Sequence, residues 1–387
     1  MENRAHTPRF TGAVLKVSAR CNLNCTYCYM FNLKDRTYGN QPALMTTEVA
    51  HSVITKVANH CEEHNLEAFT FVFHGGEPLL AKDEFFFRFV TEARHTIRSS
   101  THMRFLLQTN GVLLTRDRAR ALTDLGIRVG ISFDGPAAVH DRHRVNHRGL
   151  GSYSRVKAGW DAAVSSGPRP GFLAVLDPAQ DVAEAYTHLK SLRPRNADFL
   201  FPDSTHDDPP SRSGDSATPF ADWLLALFDL WINDEERDFE IRLFTDILKL
   251  LLAPTPADGS PKRGYNGTIF IEPDGSIGTL DLLRACAEGM GATSLNVRTC
   301  DLDEAFTDPS VLHYYYSNER VSDECLRCRL LQICGGGTLS HRYRASNGFS
   351  NRSVYCADLT KLIYGIRSWT LFTLSEELSP GQRQASG

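Results

Sequence analysis

No segment of the 387 residues stays apolar for the ~18 residues a membrane crossing needs. The longest candidates, Trp223–Ile232 and Ile247–Ala253, are short and broken by charge. The first twelve residues, MENRAHTPRFTG, contain no apolar signal core. That predicts a chain which stays in the cytoplasm. Basic residues are not in excess: 42 Lys and Arg stand against 46 Asp and Glu, a formal charge of −4. A general nucleic-acid binder is thereby disfavoured, and neither nucleic acid nor membrane is expected as a partner. Internal repeats are lacking. An apolar content of 42% and a charged content of 23% exclude a mostly disordered or collagen-like chain.

Cysteine is too sparse for a disulfide scaffold, with ten in the whole chain. A reducing compartment also argues against bridges. Yet seven of the ten cluster: Cys21, Cys25 and Cys28 near one end, and Cys325, Cys328, Cys334 and Cys356 near the other. Clustered cysteines in such a protein read as metal ligands or catalytic groups. Cys61, Cys286 and Cys300 are scattered, and Cys61 reads as an ordinary buried thiol.

The length predicts two or three units, or one barrel with an appendage. Short apolar runs at Ala13–Ser18, Phe69–Phe73, Arg104–Thr109, Arg128–Phe133, Phe172–Leu176 and Phe199–Phe201 read as strands buried on both faces. Helical periods separate them, as at Thr47–His60 and Lys82–Arg98. Six such units predict an α/β fold, a partial (β/α)6 TIM-type barrel, over residues 11–202. Residues 203–267 read as loops and bridging helices, with helices at Phe220–Asn233 and Ile241–Leu252. Residues 268–364 read as a loop-rich extension that opens with a hairpin, Thr268–Ile271 and Ser276–Thr279, around Asp274-Gly275. Residues 379–387 read as a disordered tail.

Cys21, Cys25 and Cys28 directly follow the first strand, on the face of a barrel where active sites sit. Three thiolates are one short of the four that fill a 4Fe–4S cluster, so one iron would stay open. A zinc site or unligated cysteines are the bland alternatives, and zinc fits this spacing poorly. The CxxxCxYC run resembles the signature of radical S-adenosylmethionine (SAM) enzymes. That resemblance implies a 4Fe–4S cluster which binds SAM through its open iron and reduces it to methionine and a 5′-deoxyadenosyl radical. It places Tyr27 near the adenine. It makes Gly75, Gly76 and Glu77, in HGGEP after the second strand, the motif facing the SAM amino group, with two glycines that let backbone approach a ligand closely. It places Asn110 at the end of the third strand on the same face. It sets Ser132 and Asp134, at the end of the fourth strand, near the ribose. It offers Arg144 to the methionyl carboxylate, although a solvated arginine reads equally well.

Cys325, Cys328, Cys334 and Cys356 could hold zinc or a fully ligated Fe–S cluster. Their spacing resembles the SPASM extension of radical SAM peptide maturases, which implies an auxiliary 4Fe–4S cluster for electron transfer or support. Gly335-Gly336-Gly337 offers backbone N–H groups to its sulfurs. Thr338 stands where the seven-cysteine pattern has a further cysteine, and Cys286 alone matches another auxiliary ligand plausibly. The segments TLDLLRAC and CGGGTLSHRYRASNGFSNRSVYCADL resemble the cyclophane-forming maturases, which modify ribosomally made precursor peptides. The resemblance implies removal of a Cβ hydrogen, a C–C crosslink to an aromatic side chain, and Asp281 as a candidate general base. It also implies a reductant such as flavodoxin or ferredoxin. No recognition domain is seen before the barrel, so leader recognition would use the barrel, the extension or a separate protein. Other SPASM maturases, of the anaerobic sulfatase-maturating or thioether-forming kind, and a noncatalytic Fe–S or zinc protein remain as alternatives.

Overall fold

The computed structural model describes residues 7–212, 215–256 and 260–377. Six parallel strands run in chain order: β1 Gly12–Ser18, β2 Ala68–Gly75, β3 His102–Thr109, β4 Ile127–Ser132, β5 Gly171–Val175 and β6 Asn196–Leu200. Helices α1 Thr47–Glu63, α2 Asp83–Thr96, α3 Arg116–Asp124, α4 Ala137–His143, α5 Tyr153–Ser166 and α6 Val182–Leu192 connect them. This is the expected partial (β/α)6 barrel.

Local chemistry sets the helix starts. Thr46, Thr115 and Asp181 cap α1, α3 and α6 by accepting a backbone N–H three residues on. In α2 the buried residues Phe86, Phe89, Val90 and Ala93 repeat at helical spacing. Phe86 and Phe89 meet Phe73 edge-on, at 5.2 and 5.1 Å between ring centroids.

β1 is buried on both faces as expected, at all positions but Val14, whereas the other five strands depart from this. Along β2, Phe69, Phe71 and Phe73 are buried, while Thr70, Val72 and His74 between them are only partly so. The aromatic positions face the helices, and the others line an incompletely filled interior. A closed barrel packs that space with side-chain layers; here Thr70, Val72 and His74 keep partial exposure.

The sheet reaches further than six strands. β7 Glu240–Ile241 pairs with β6, and the expected hairpin, β8 Thr268–Ile271 and β9 Ser276–Gly278, pairs parallel through β8 with the free edge of β1. β10 Ala292–Asn296 completes ten strands in the order β10-β9-β8-β1-β2-β3-β4-β5-β6-β7. β7 is two residues long and β10 is interrupted, which leaves no alternating pattern to read. Helices α7 Pro219–Ile232 and α8 Arg242–Leu252 follow the expected boundaries closely.

The region read as loop to residue 364 ends instead in a 22-residue helix, Cys356–Glu377, packed against α7 and α8. Gly365 in its middle obscures the helical signal, but it has a packing reason: a Cβ there would stand 2.4 Å from Leu225 of α7. The tail at 379–387 lies outside the described residues. Among the described residues, no helix is long and apolar enough to cross a membrane.

Candidate active site

The three N-terminal cysteines lie on the loop that leaves β1, and strand ends supply what surrounds them. Leu23 N–H points at the Cys21 sulfur at 3.4 Å, and the Asn110 amide at 3.7 Å. The Asn110 amide also donates to Asn22 Oδ1 at 2.7 Å. Burial pushes the Cys21 thiol up to about 12 and the Cys25 thiol up to about 11, and it raises Cys28 as well. The three act on one another electrostatically. Buried thiols this close ionise together only around positive charge, which iron supplies.

Spacing also bears on the choice between a cluster and a single ion. Thiolates on one zinc lie 2.3 Å from the metal, hence about 3.8 Å from each other. Among the described residues, no cysteine belongs to a set of three His, Cys, Asp or Glu ligand atoms within 4.8 Å of one another. The wider spacing suits separate corners of a cluster. The donor set therefore fits a 4Fe–4S cluster with one open iron.

The HGGEP turn is built into the same loop. Gly76 N–H donates to Ser18 O at 2.8 Å, and Glu77 N–H to Arg20 O at 2.9 Å. A Cβ on Gly75 would stand 2.3 Å from Ser18 O, and one on Gly76 2.4 Å from Arg20 O. The close approach these glycines permit is thus to the chain's own backbone just before Cys21. Gly75 also has φ +121°, where a side chain is strained. Glu77 is fully buried. Its carboxylate accepts from Leu79 N at 2.9 Å, Thr109 Oγ1 at 2.7 Å and Asn110 N at 2.8 Å, tying the ends of β2 and β3 together.

Beyond β4, Gln108 donates to Ser132 Oγ at 2.9 Å. Asp134 receives the Tyr27 hydroxyl and pairs with Arg144 Nε at 3.0 Å. The Arg144 guanidinium stands 5.6 Å from the Tyr27 ring centre. Arg144 is buried, not solvated, at 8% exposure. Burial works against its charge, but Asp134 more than offsets this and holds it protonated. The sequence left that choice open because only the fold brings Asp134 and Tyr27 to it.

A second buried group occupies the barrel interior. Lys16 on β1 pairs with Asp281 and lies 3.2 Å from both Tyr29 Oη and His74 Nδ1. Tyr29 donates to Asp281 at 2.7 Å. Burial opposes the Asp281 charge, yet Lys16, with the hydrogen bond from Tyr29, overcomes it and keeps the carboxyl below its usual range. Burial, helped by Lys16, pushes His74 down to about 3, so this ring is neutral. Asp203, just after β6, is pushed up to about 7 by burial and by the charge of Asp281. Asp281 was anticipated; Lys16, Tyr29, His74 and Asp203 were not. A lone lysine in the first strand was the available signal, since a buried lysine requires a partner.

Cys325, Cys334 and Cys356 act on one another, and Cys328 acts on Cys356. Gly335, Gly336 and Gly337 are all left-handed. Burial raises the Cys334 thiol, and the nearby Gly336 N–H works against that rise. The glycine carbonyls serve the fully buried Arg342, which donates to Gly336 O at 2.9 Å, Gly335 O at 2.7 Å, Gly337 O, and Ser317 O at 2.7 Å. Its charge lies near Cys325 and Cys334, as favours a thiolate-rich cluster. Cys286 does not join this group. It is buried beside Leu283 and Leu339, its thiol points at Ser340 O at 3.8 Å, and Asp203, Lys34 and Asp207 are the charges that act on it. Cys300 faces Asn296 O, and Cys61 is the buried thiol expected.

Fold and cysteine loop together define a radical SAM enzyme, whose cofactors are SAM and a 4Fe–4S cluster. Residues 15–185 match the radical SAM superfamily. Across 90% of its length the chain is 27% identical to the cysteine-type anaerobic sulfatase-maturating enzyme of Clostridium perfringens (strain 13 / Type A), covering 94% of that protein. It is 24% identical to the serine-type anaerobic sulfatase-maturating enzyme of Bacteroides thetaiotaomicron, over 89% of this chain and 86% of that one. The fold is similar to native anSMEcpe with bound AdoMet, at TM-score 0.78 and 23% identity, covering 94% of this chain and 99% of that one. It is also similar to Streptococcus suis SuiB bound to precursor peptide SuiA, at TM-score 0.61 and 16% identity, covering 90% and 76%. These likenesses are to sulfatase-maturating enzymes and to a SuiB-like peptide maturase, and they do not show the cyclophane-forming group that the sequence resembles.

Proposed function

We propose that this enzyme oxidises a side chain within a ribosomally made peptide by removing hydrogen from its Cβ. The observation that carries the reading is the Lys16–Asp281–Tyr29–His74 group, on the open interior at the same strand ends as Cys21, Cys25 and Cys28. The structures similar to this fold include peptide-bound ones.

Bound SAM and its cluster supply a 5′-deoxyadenosyl radical, able to attack an unactivated C–H bond. Cys21, Cys25 and Cys28 hold that cluster. Gly75, Gly76, Glu77, Asn110, Ser132, Asp134, Tyr27 and Arg144 shape the pocket for SAM. Asp281, kept ionised by Lys16, takes the proton that leaves the oxidised side chain, and Asp203 is poised near neutrality to receive it in turn. Cys325, Cys328, Cys334 and Cys356 hold an auxiliary 4Fe–4S cluster, which supplies a site for the second electron. A flavodoxin or ferredoxin serves as reductant. Residues 11–202 form the catalytic core, 203–267 the bridge and 268–364 the extension that carries Asp281.

Two products follow from one abstraction. The sulfatase-maturating relatives favour oxidation of cysteine or serine to an aldehyde. The isolation of Cys286 and the threonine at 338 favour a C–C crosslink, which requires no second auxiliary cluster. Incubation with SAM, reductant and a precursor peptide separates them. A peptide lighter by two hydrogens and inert to a carbonyl-reactive hydrazide supports the crosslink, and a hydrazide adduct supports the aldehyde. Unchanged peptide, with SAM turned over, would sink the peptide assignment.

A further inference from the structure

Away from the cysteines, His60, His64 and Asp303 bring three ligand atoms within 4.8 Å of one another. We propose that these residues bind one divalent transition-metal ion of the zinc class, and that the ion joins the first barrel helix to the C-terminal extension. His60 lies in the last turn of α1 and His64, four residues on, is its C-cap, which brings the two rings to one side of the helix end. Their ring centroids are 4.4 Å apart. Each ring addresses a different oxygen of one carboxylate: His60 Nδ1 lies 3.0 Å from Asp303 Oδ2, and His64 Nε2 lies 2.8 Å from Asp303 Oδ1. Two imidazoles and a carboxylate are a zinc donor set that leaves a fourth position for water. Tetrahedral zinc ligands stand about 3.4 Å apart, so an opening of a few tenths of an ångström admits the ion.

The surroundings suit a ligand role. The far nitrogen of His60, Nε2, lies 3.1 Å from the Phe10 carbonyl and 3.0 Å from the Phe10 N–H. Here Nε2 accepts from the Phe10 N–H; with Nδ1 on a metal it would carry the proton and turn to the Phe10 carbonyl, the kind of outer support metal-bound histidines have. The His60, His64 and Asp303 side chains are 1%, 13% and 32% exposed, a gradient from floor to rim that leaves the ion a way in. The site also lies on a seam. Asp303 opens the 3-10 helix Asp303–Thr307, whose Phe306 stacks on Phe10 just before β1, at 4.2 Å and 11°. One ion there would tie α1, the approach to β1 and the extension together.

The test uses the full chain with its iron–sulfur sites already filled, dialysed against buffered micromolar Zn²⁺ and counted by mass spectrometry of the metals. The expected result is one zinc per chain, lost in both His64→Gln and Asp303→Asn with the iron content unchanged. Zinc should raise the thermal unfolding midpoint of the parent and of a His51→Ala control, but not of those two variants. His51 sits on α1 too, and pairs with Glu92 instead. Failure of the parent to take up zinc, or uptake undiminished in both variants, would overturn the proposal. Neither result depends on SAM chemistry.

Discussion

Replacing Arg342 with methionine should unfasten the C-terminal cysteine site. The guanidinium is fully buried and serves four carbonyls closely, Gly335, Gly336, Gly337 and Ser317, with Arg320 O a distant fifth at 3.5 Å. Methionine fills much of the volume but donates nothing, so all four acceptors lose their partner. At about 1 kcal/mol for each buried carbonyl left unpaired, the loss is about 4 kcal/mol before local settling. Arg342→Lys should recover only part of it, since one ammonium cannot reach the spread that a planar fork spans. The glycine loop directly follows Cys334 and its Gly336 N–H favours that thiolate, so iron should be lost along with stability. Two assays read this. Urea unfolding should shift by about 1 M or more, given slopes of a few kcal/mol per M. In a Cys21/Cys25/Cys28→Ala background, where the auxiliary site is the sole iron holder, iron should fall from about four per chain to below one. An Arg342→Met protein that unfolds at the parental urea concentration and keeps its auxiliary iron would refute the reasoning.

The anaerobically reconstituted parent should hold about eight irons, and the Cys21/Cys25/Cys28→Ala variant about half, with SAM cleavage abolished; zinc in place of iron at the C-terminal cysteines would contradict this. Gly76→Val should cost both SAM cleavage and the N-terminal iron, because its Cβ would overlap Arg20 O at 2.4 Å; iron analysis and methionine release check both. The Asp203 carboxyl titrates near 7 when folded against 3.8 normally, so the folded state holds this proton more tightly than the unfolded chain. Stability should therefore fall as pH rises from about 4 to about 7, and Asp203→Asn should flatten that slope in urea titrations across the window.

The barrel was legible because its signals are local. Six apolar runs alternate with helical periods, and CxxxCxYC, HGGEP and the motifs after β3 and β4 each sit at a strand end. The residues that missed notice depend on contacts distant in the chain. Lys16 and Asp281 are 265 positions apart, and nothing near either announces the other. Arg342 looked like part of a motif until the glycine carbonyls turned out to face it. The reading of Gly76 changed for the same reason: sequence shows that a side chain is absent, but not which backbone fills the space. The terminal helix was hidden by Gly365, whose packing against Leu225 is a tertiary fact.

The central claim is hydrogen abstraction from a peptide side chain. It is tested most directly with a precursor peptide encoded beside this chain's gene and deuterated at Cβ of the modified residue. After turnover with SAM and reductant, 5′-deoxyadenosine should carry one deuterium for each peptide modified, and none when Cys21, Cys25 and Cys28 are alanine. Deuterium retained at Cβ, with 5′-deoxyadenosine unlabelled or labelled from another position, would contradict the account.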